Sequence, residues 1–151
     1  MKYETDKQLL DAVVELLGGG TEHFGKAIEM EVERASISSR GLTARTKATK
    51  DVLGPAGELD EGWVATVMDN LTSTLVTAFA MRPHVTTSLA VSTLAKPPVG
   101  AAIVVECTLG SAKSQPQASA VFWSAGPVGQ RTKFAVGSHT KFFKPAQPPR
   151  F

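Results

Sequence analysis

A single cysteine, Cys107, among 151 residues leaves no intrachain disulfide to form, and it fits a reducing compartment. Histidine is nearly as scarce. His23, His84 and His139 stand far apart without metal-ligand spacing, so no metal site is expected. No uninterrupted apolar run approaches the roughly eighteen residues a membrane span needs, so no span is expected. Charge of one sign is lacking as well: Lys+Arg 16 against Asp+Glu 14 leaves a net +2. That bias is too weak to argue for nucleic acid, though it suits an acidic small-molecule ligand. The opening segment MKYETDKQLLDAVVELL has neither a charged-then-apolar signal pattern nor an Arg-rich transit pattern, and a cytoplasmic location is expected.

What is present is one long, nearly uncharged helical stretch. From Trp63 to Ala80 the only ionisable residue is Asp69. A helix so free of charge on every face has to be wrapped by the rest of the chain. At a 3.6-residue period Thr66, Asp69 or Asn70, Ser73 and Thr77 form one polar stripe along the apolar cylinder. A carboxylate on a buried helix is costly unless it is hydrogen-bonded or functional, which singles out Asp69.

Around that helix the pattern is mostly strand. Thr5 and Gln8 form a capping box ahead of an amphipathic helix, which Gly18-Gly19-Gly20 should stop. Ala27 to Ile37 alternates Ile28, Met30 and Val32 with Glu29, Glu31 and Glu33. After a turn at Gly41, Leu42 to Thr49 alternates again, with Arg45 and Lys47 on the polar side. These two strands should pair with acidic and basic faces opposed. Strands are also expected over His84 to Leu94, Ala101 to Ser111, Ala118 to Ala125 and Thr132 to Phe143. The first of these should end at Lys96-Pro97-Pro98. The expected organisation is an N-terminal helix and linker over 1–24, one α+β domain over 25–144 and a Pro-rich tail over 145–151. A curled antiparallel sheet around a long central helix buries that helix best.

The residues from Gly54 onward carry a more specific likeness. Gly57, Leu59, Gly62, Ala65, Thr66 and Asp69-Asn70 stand where hotdog-fold acyl-CoA thioesterases of the phenylacetate-degradation type have an Asn-x-x-Gly-x-Leu-His-Gly-Gly turn and an acidic helix residue. Val85 to Gly100 resembles that family's strand and Pro-containing turn, and Gly137-Ser138-His139-Thr140-Lys141 resembles the end of its last strand. The resemblance implies a hotdog fold and hydrolysis of an acyl thioester, on coenzyme A or an acyl carrier, with coenzyme A as part of the substrate and no separate cofactor. By position it makes Asp69 the nucleophile or general base and the N–H groups of Glu61 and Gly62 the oxyanion donors. Thr86 then holds the attacking water, with Thr87 as a second candidate. It also implies a site shared between subunits, hence a homodimer or a dimer-of-dimers tetramer.

Other assignments follow on charge, size or position. Lys96, Arg131 and Lys141 are candidates for coenzyme A phosphates, and Trp63 for a wall of the acyl pocket. Asn70 is read as satisfying backbone at the dimer contact, with substrate binding as its other role. His84 and His139 read as surface or edge histidines and Cys107 as core. The chain departs from the pattern at the oxyanion end: Gly54 replaces the Asn, and Asp60-Glu61 replaces His-Gly. Asp60 and Glu61 suit a helix's first turn, yet they oppose a second negative charge there. Two alternatives therefore stand beside hydrolysis. One is a hotdog dehydratase, hydratase or lyase using the added carboxylates, and the other is a non-catalytic acyl or coenzyme A binding module.

Overall fold

The computed structural model describes residues 2–19 and 30–145. The helix the sequence centres on is α2, Glu61–Ala80, of which nine residues from Val64 to Ala78 are buried. Asp60 caps it, its Oδ1 accepting from the Trp63 N–H at 2.8 Å. Met81 closes it in a left-handed conformation with φ +52°. The hydroxyls of Thr66, Thr72 and Thr74 donate to carbonyls one turn back, which satisfies polar groups on a helix that faces protein on most sides.

Six strands make a single antiparallel sheet in the order β1-β2-β4-β5-β6-β3, with β1 Glu31–Ser36, β2 Gly41–Lys47, β3 His84–Thr93, β4 Ala102–Ser111, β5 Gln117–Ser124 and β6 Lys133–Phe143. This sheet curls around α2, which packs on β3, β4, β5 and β6, as the hotdog expectation requires. The inward residues Leu42, Ala44, Ile103, Val105, Ala120, Phe122 and Ala135 meet Val64, Met68, Leu71 and Leu75 in one core. α1, Asp6–Gly19, packs on β1 and α2 through Leu9 and Val13 and so belongs to that core. Its capping box is formed, with the Gln8 N–H donating to Thr5 Oγ1 and the Thr5 N–H to Gln8 Oε1. The helix is described as far as Gly19, within the glycine run expected to stop it. Residues 20–29 and 146–151, hence Ile28, Glu29, His23 and most of the tail, lie outside the described residues.

The β1–β2 pairing meets the charge expectation: Glu31 faces Arg45 in register, and Arg45 Nε bonds Glu33 Oε1 at 2.5 Å. Arg40, at φ +53°, makes the left-handed step of the connecting turn. Gly41 is required for a different reason, since a Cβ there would lie 2.9 Å from the Cys107 carbonyl oxygen.

Gly137 on β6 has a comparable role. A Cβ at that position would fall 2.1 Å from Met68 Sδ and 3.0 Å from the Ala90 carbonyl oxygen. Met68 is fully buried, and the Ala90 carbonyl is backbone that has to shift to admit a methyl group. Gly137→Ala is therefore expected to destabilise the fold by about 1–3 kcal/mol, as overpacking of a filled core does. A lowered urea midpoint at unchanged slope checks this.

Candidate active site

The segment ahead of α2 folds back on itself as a tight loop. Leu53 and Leu59 form a bridge, the Gly54 N–H donates to the Glu58 carbonyl at 2.7 Å, and Gly57 takes φ +87°. Glu58 lies over Gly54, so that a Cβ on Gly54 would sit 2.5 Å from Glu58 Oε1. The Glu58 side chain thus fills the space beside the position where the resembling pattern carries Asn. Its Oε2 is buried without a hydrogen-bond partner. Asp60 is engaged as the helix cap, while Glu61 and Gly62, the first two helical residues, have no intrahelical acceptor for their N–H groups. Trp63 stands edge-on to Phe122, with ring centroids 5.9 Å apart, and is half-buried. Lys96 is exposed, its side chain passing close to Gly57.

Asp69 lies two turns further along α2. Contrary to the expectation of a buried carboxylate, its side chain is 49% exposed, because the neighbouring edge strand β3 leaves that flank of the helix open. Its Oδ1 accepts from Ser73 Oγ at 3.1 Å and stands 3.6 Å from His139 Nε2. Thr86 on β3 reaches the same place. Thr87 does not: at the β3 bulge its hydroxyl turns to the Thr140 carbonyl at 3.1 Å, away from Asp69. Asn70 is half-buried, and its carbonyl accepts from Thr74.

Two further residues behave differently from their sequence reading. His139, taken for a surface or edge histidine, is 1% exposed and bonded on both ring nitrogens, Nδ1 to Thr72 Oγ1 at 2.6 Å and Nε2 to Thr86 Oγ1 at 2.8 Å. Lys141, taken for a phosphate ligand at the rim, is 4% exposed, and its Nζ donates to Thr86 Oγ1 at 3.2 Å. The cause is strand phase. Ala135, Gly137, His139, Lys141 and Phe143 alternate onto one face of β6, so Lys141 enters with its buried neighbours. That alternation was the available signal, and Thr72, one helical turn beyond Met68, gave none. Arg131 pairs with Glu106, and Arg82 lies over the Phe143 ring. Neither reaches Asp69 in this arrangement.

The electrostatics follow from burial. Desolvation, reinforced by Lys141, lowers the His139 pKa to about 4 against the pull of Asp69, so His139 is neutral at physiological pH and its approach to Asp69 is not an ion pair. His84, bonded through Nε2 to Thr77 Oγ1 at 2.9 Å, is shifted downward by the same two causes. Burial also lowers the Lys141 pKa, with Asp69 opposing it. Cys107 is buried in β4 with its thiol pushed up to about 12, which leaves it a core residue. Chemically the cluster offers an accessible carboxylate beside an oriented hydroxyl, and the loop offers free N–H groups at a helix N-terminus.

No family model matches the chain, and no curated protein matches its sequence. Among solved structures, zebra fish thioesterase superfamily member 2 aligns over 89% of this chain and 98% of its own at 16% identity, with a TM-score of 0.75. The Escherichia coli PaaI protein of the phenylacetic acid degradation operon aligns over 93% and 96% at 8% identity, also with a TM-score of 0.75. A hypothetical thioesterase of Streptococcus pneumoniae with coenzyme A aligns over 77% and 86% at 13% identity, with a TM-score of 0.65. Among the described residues no helix is long and apolar enough to cross a membrane. At these identities the likeness is one of architecture, and the chain has the hotdog fold that these thioesterase structures share.

Proposed function

We propose that the chain hydrolyses an acyl thioester, with coenzyme A or an acyl carrier as the leaving thiol, at a site completed by a second copy of the chain. The observation that carries the reading is Asp69: an open carboxylate on a hotdog central helix that converges with Thr86 of β3 on His139 Nε2, in a fold shared with named thioesterases. Asp69 takes the proton of an attacking water or attacks the carbonyl itself, and the Glu61 and Gly62 N–H groups receive the oxyanion. Coenzyme A enters as part of the substrate and meets Lys96 through its phosphates; the exposure of Lys96 beside the loop supports this. Trp63 borders the acyl group at the start of α2. A cytoplasmic location fits this chemistry.

Geometry is the reason for the second copy. Asp69 is seven residues beyond Gly62, about 10 Å along a helix that rises about 1.5 Å per residue. A base and an oxyanion donor must meet at one carbonyl, so Asp69 of one copy faces the helix start of the other. β3 supplies a surface for that contact. It is an edge strand with every residue from Val85 to Ala90 exposed, an arrangement that invites pairing. Sedimentation should therefore find a dimer or tetramer at assay concentration; an active monomer would contradict the shared site.

The test of the reaction is product analysis on short, long and aromatic acyl-CoAs. Hydrolysis gives free thiol and free acid in equal amounts. A second reading, dehydration, hydration or a lyase step, is favoured by one observation, the buried unpartnered Glu58 oxygen at the oxyanion end. It predicts an altered acyl group with the thioester still intact.

A further inference from the structure

With a neutral His139 ring, one set of directions satisfies all four contacts behind Thr86 at once. The Thr72 hydroxyl carries one hydrogen and donates it to the Met68 carbonyl at 2.6 Å. Thr72 Oγ1 can then only accept in its 2.6 Å contact with His139, which places a hydrogen on Nδ1. Because the His139 ring is held neutral, Nε2 is bare and accepts the single hydrogen of Thr86 across 2.8 Å. Lys141 Nζ donates into Thr86 Oγ1 and occupies one lone pair. The exposed hydroxyl is left with one free lone pair and no hydrogen to give.

We propose that Thr72 and His139 are positioning residues that turn the Thr86 hydrogen inward, so that Thr86 receives a hydrogen bond from the attacking water and never donates one to it. The inference rests on the thioester reading, in which Thr86 and Asp69 flank that water. Its consequence is directional. With both hydrogens of the water held by acceptors, Thr86 Oγ1 and the Asp69 carboxylate, the oxygen lone pair points at the carbonyl. A hydroxyl donating into that lone pair would blunt the attack. His139 is not a second base in this scheme: its Nε2 is already occupied by Thr86, and Asp69 alone receives the proton. Neither Thr72 nor His139 touches substrate, and both act through the orientation of Thr86.

Ring-nitrogen spectra of the full chain labelled with 15N-histidine test the hydrogen placement without any substrate. Only three histidines need assignment, and His139→Phe removes one set of signals. The expected spectrum shows Nδ1 protonated and Nε2 bare, unchanged between about pH 8 and about pH 6, where an ordinary histidine titrates. A hydrogen on Nε2 in the wild-type chain overturns the proposal whether or not the chain hydrolyses thioesters. Failure of the thioester reading alone would leave this spectrum as expected while no acyl-CoA was cleaved. In kinetics, Thr72→Val keeps the volume but removes the acceptor that fixes the ring, and it should lower kcat about five- to tenfold with KM unchanged, with Thr72→Ser restoring the rate. A raised KM at unchanged kcat would show a role in binding and overturn the proposal. Should Thr72→Val fail to fold, the wild-type spectrum still decides.

Discussion

Phe122→Ala is expected to destabilise the fold by about 3–5 kcal/mol, the range for deleting a fully buried aromatic ring. Phe122 is 0% exposed at the centre of the curled sheet, on the inner face of β5. The loss has two parts. Folding no longer takes the ring's apolar area out of water, and a cavity remains because α2 on one side and the strands on the other cannot both close over it. The edge-on contact with Trp63 is lost as well, and such pairs contribute about 0.5–1.5 kcal/mol beyond their area. Trp63 occupies the first turn of α2, so the same substitution loosens the helix start that carries the Glu61 and Gly62 N–H groups. Urea unfolding reads the stability change as a lowered midpoint. A change below about 1 kcal/mol would mean that the core does not close on Phe122 as described.

The fold was legible in the sequence because hydrophobic period alone determines most of it. A helix with one ionisable residue in eighteen positions has to be wrapped, and the alternating segments that follow can only wrap it as a sheet. Capping at Thr5 and Gln8 and the charge pairing of Arg45 with Glu33 were equally readable, since both depend on neighbours close in sequence or register. The site was legible only in part. Asp69 and Thr86 could be named from position, but Asp69 was read as buried, because one chain's sequence does not show that β3 lies at a sheet edge and leaves the helix flank open. Lys141 was assigned to coenzyme A phosphates on charge alone, and lysines are seldom buried. The phase of β6 outweighed that preference and drew Lys141 and His139 inward together. Thr72 was invisible as a functional residue, since a threonine on an apolar helix looks like any other until the strand packed against it brings a histidine to its hydroxyl.

Asp69→Asn is the second large expected effect, a loss of kcat by about two to four orders of magnitude on whichever acyl thioester the wild-type chain cleaves best. Asn keeps the volume and an oxygen that can still accept from Ser73, so folding and the local hydrogen bond are preserved. What it removes is the capacity to take a proton or to attack a carbonyl, and both routes open to Asp69 need that capacity. Binding should change little, because ground-state contacts along the loop, Trp63 and Lys96 are untouched. A loss confined to kcat marks a group that acts in the transition state. The decisive measurement is thiol release by wild type and Asp69→Asn on the same acyl-CoA, run beside binding of its non-cleavable thioether. Wild type should release thiol rapidly, the variant at least about a hundredfold more slowly, and thioether affinity should be equal within a few-fold. Equal release by the two proteins would contradict a catalytic Asp69.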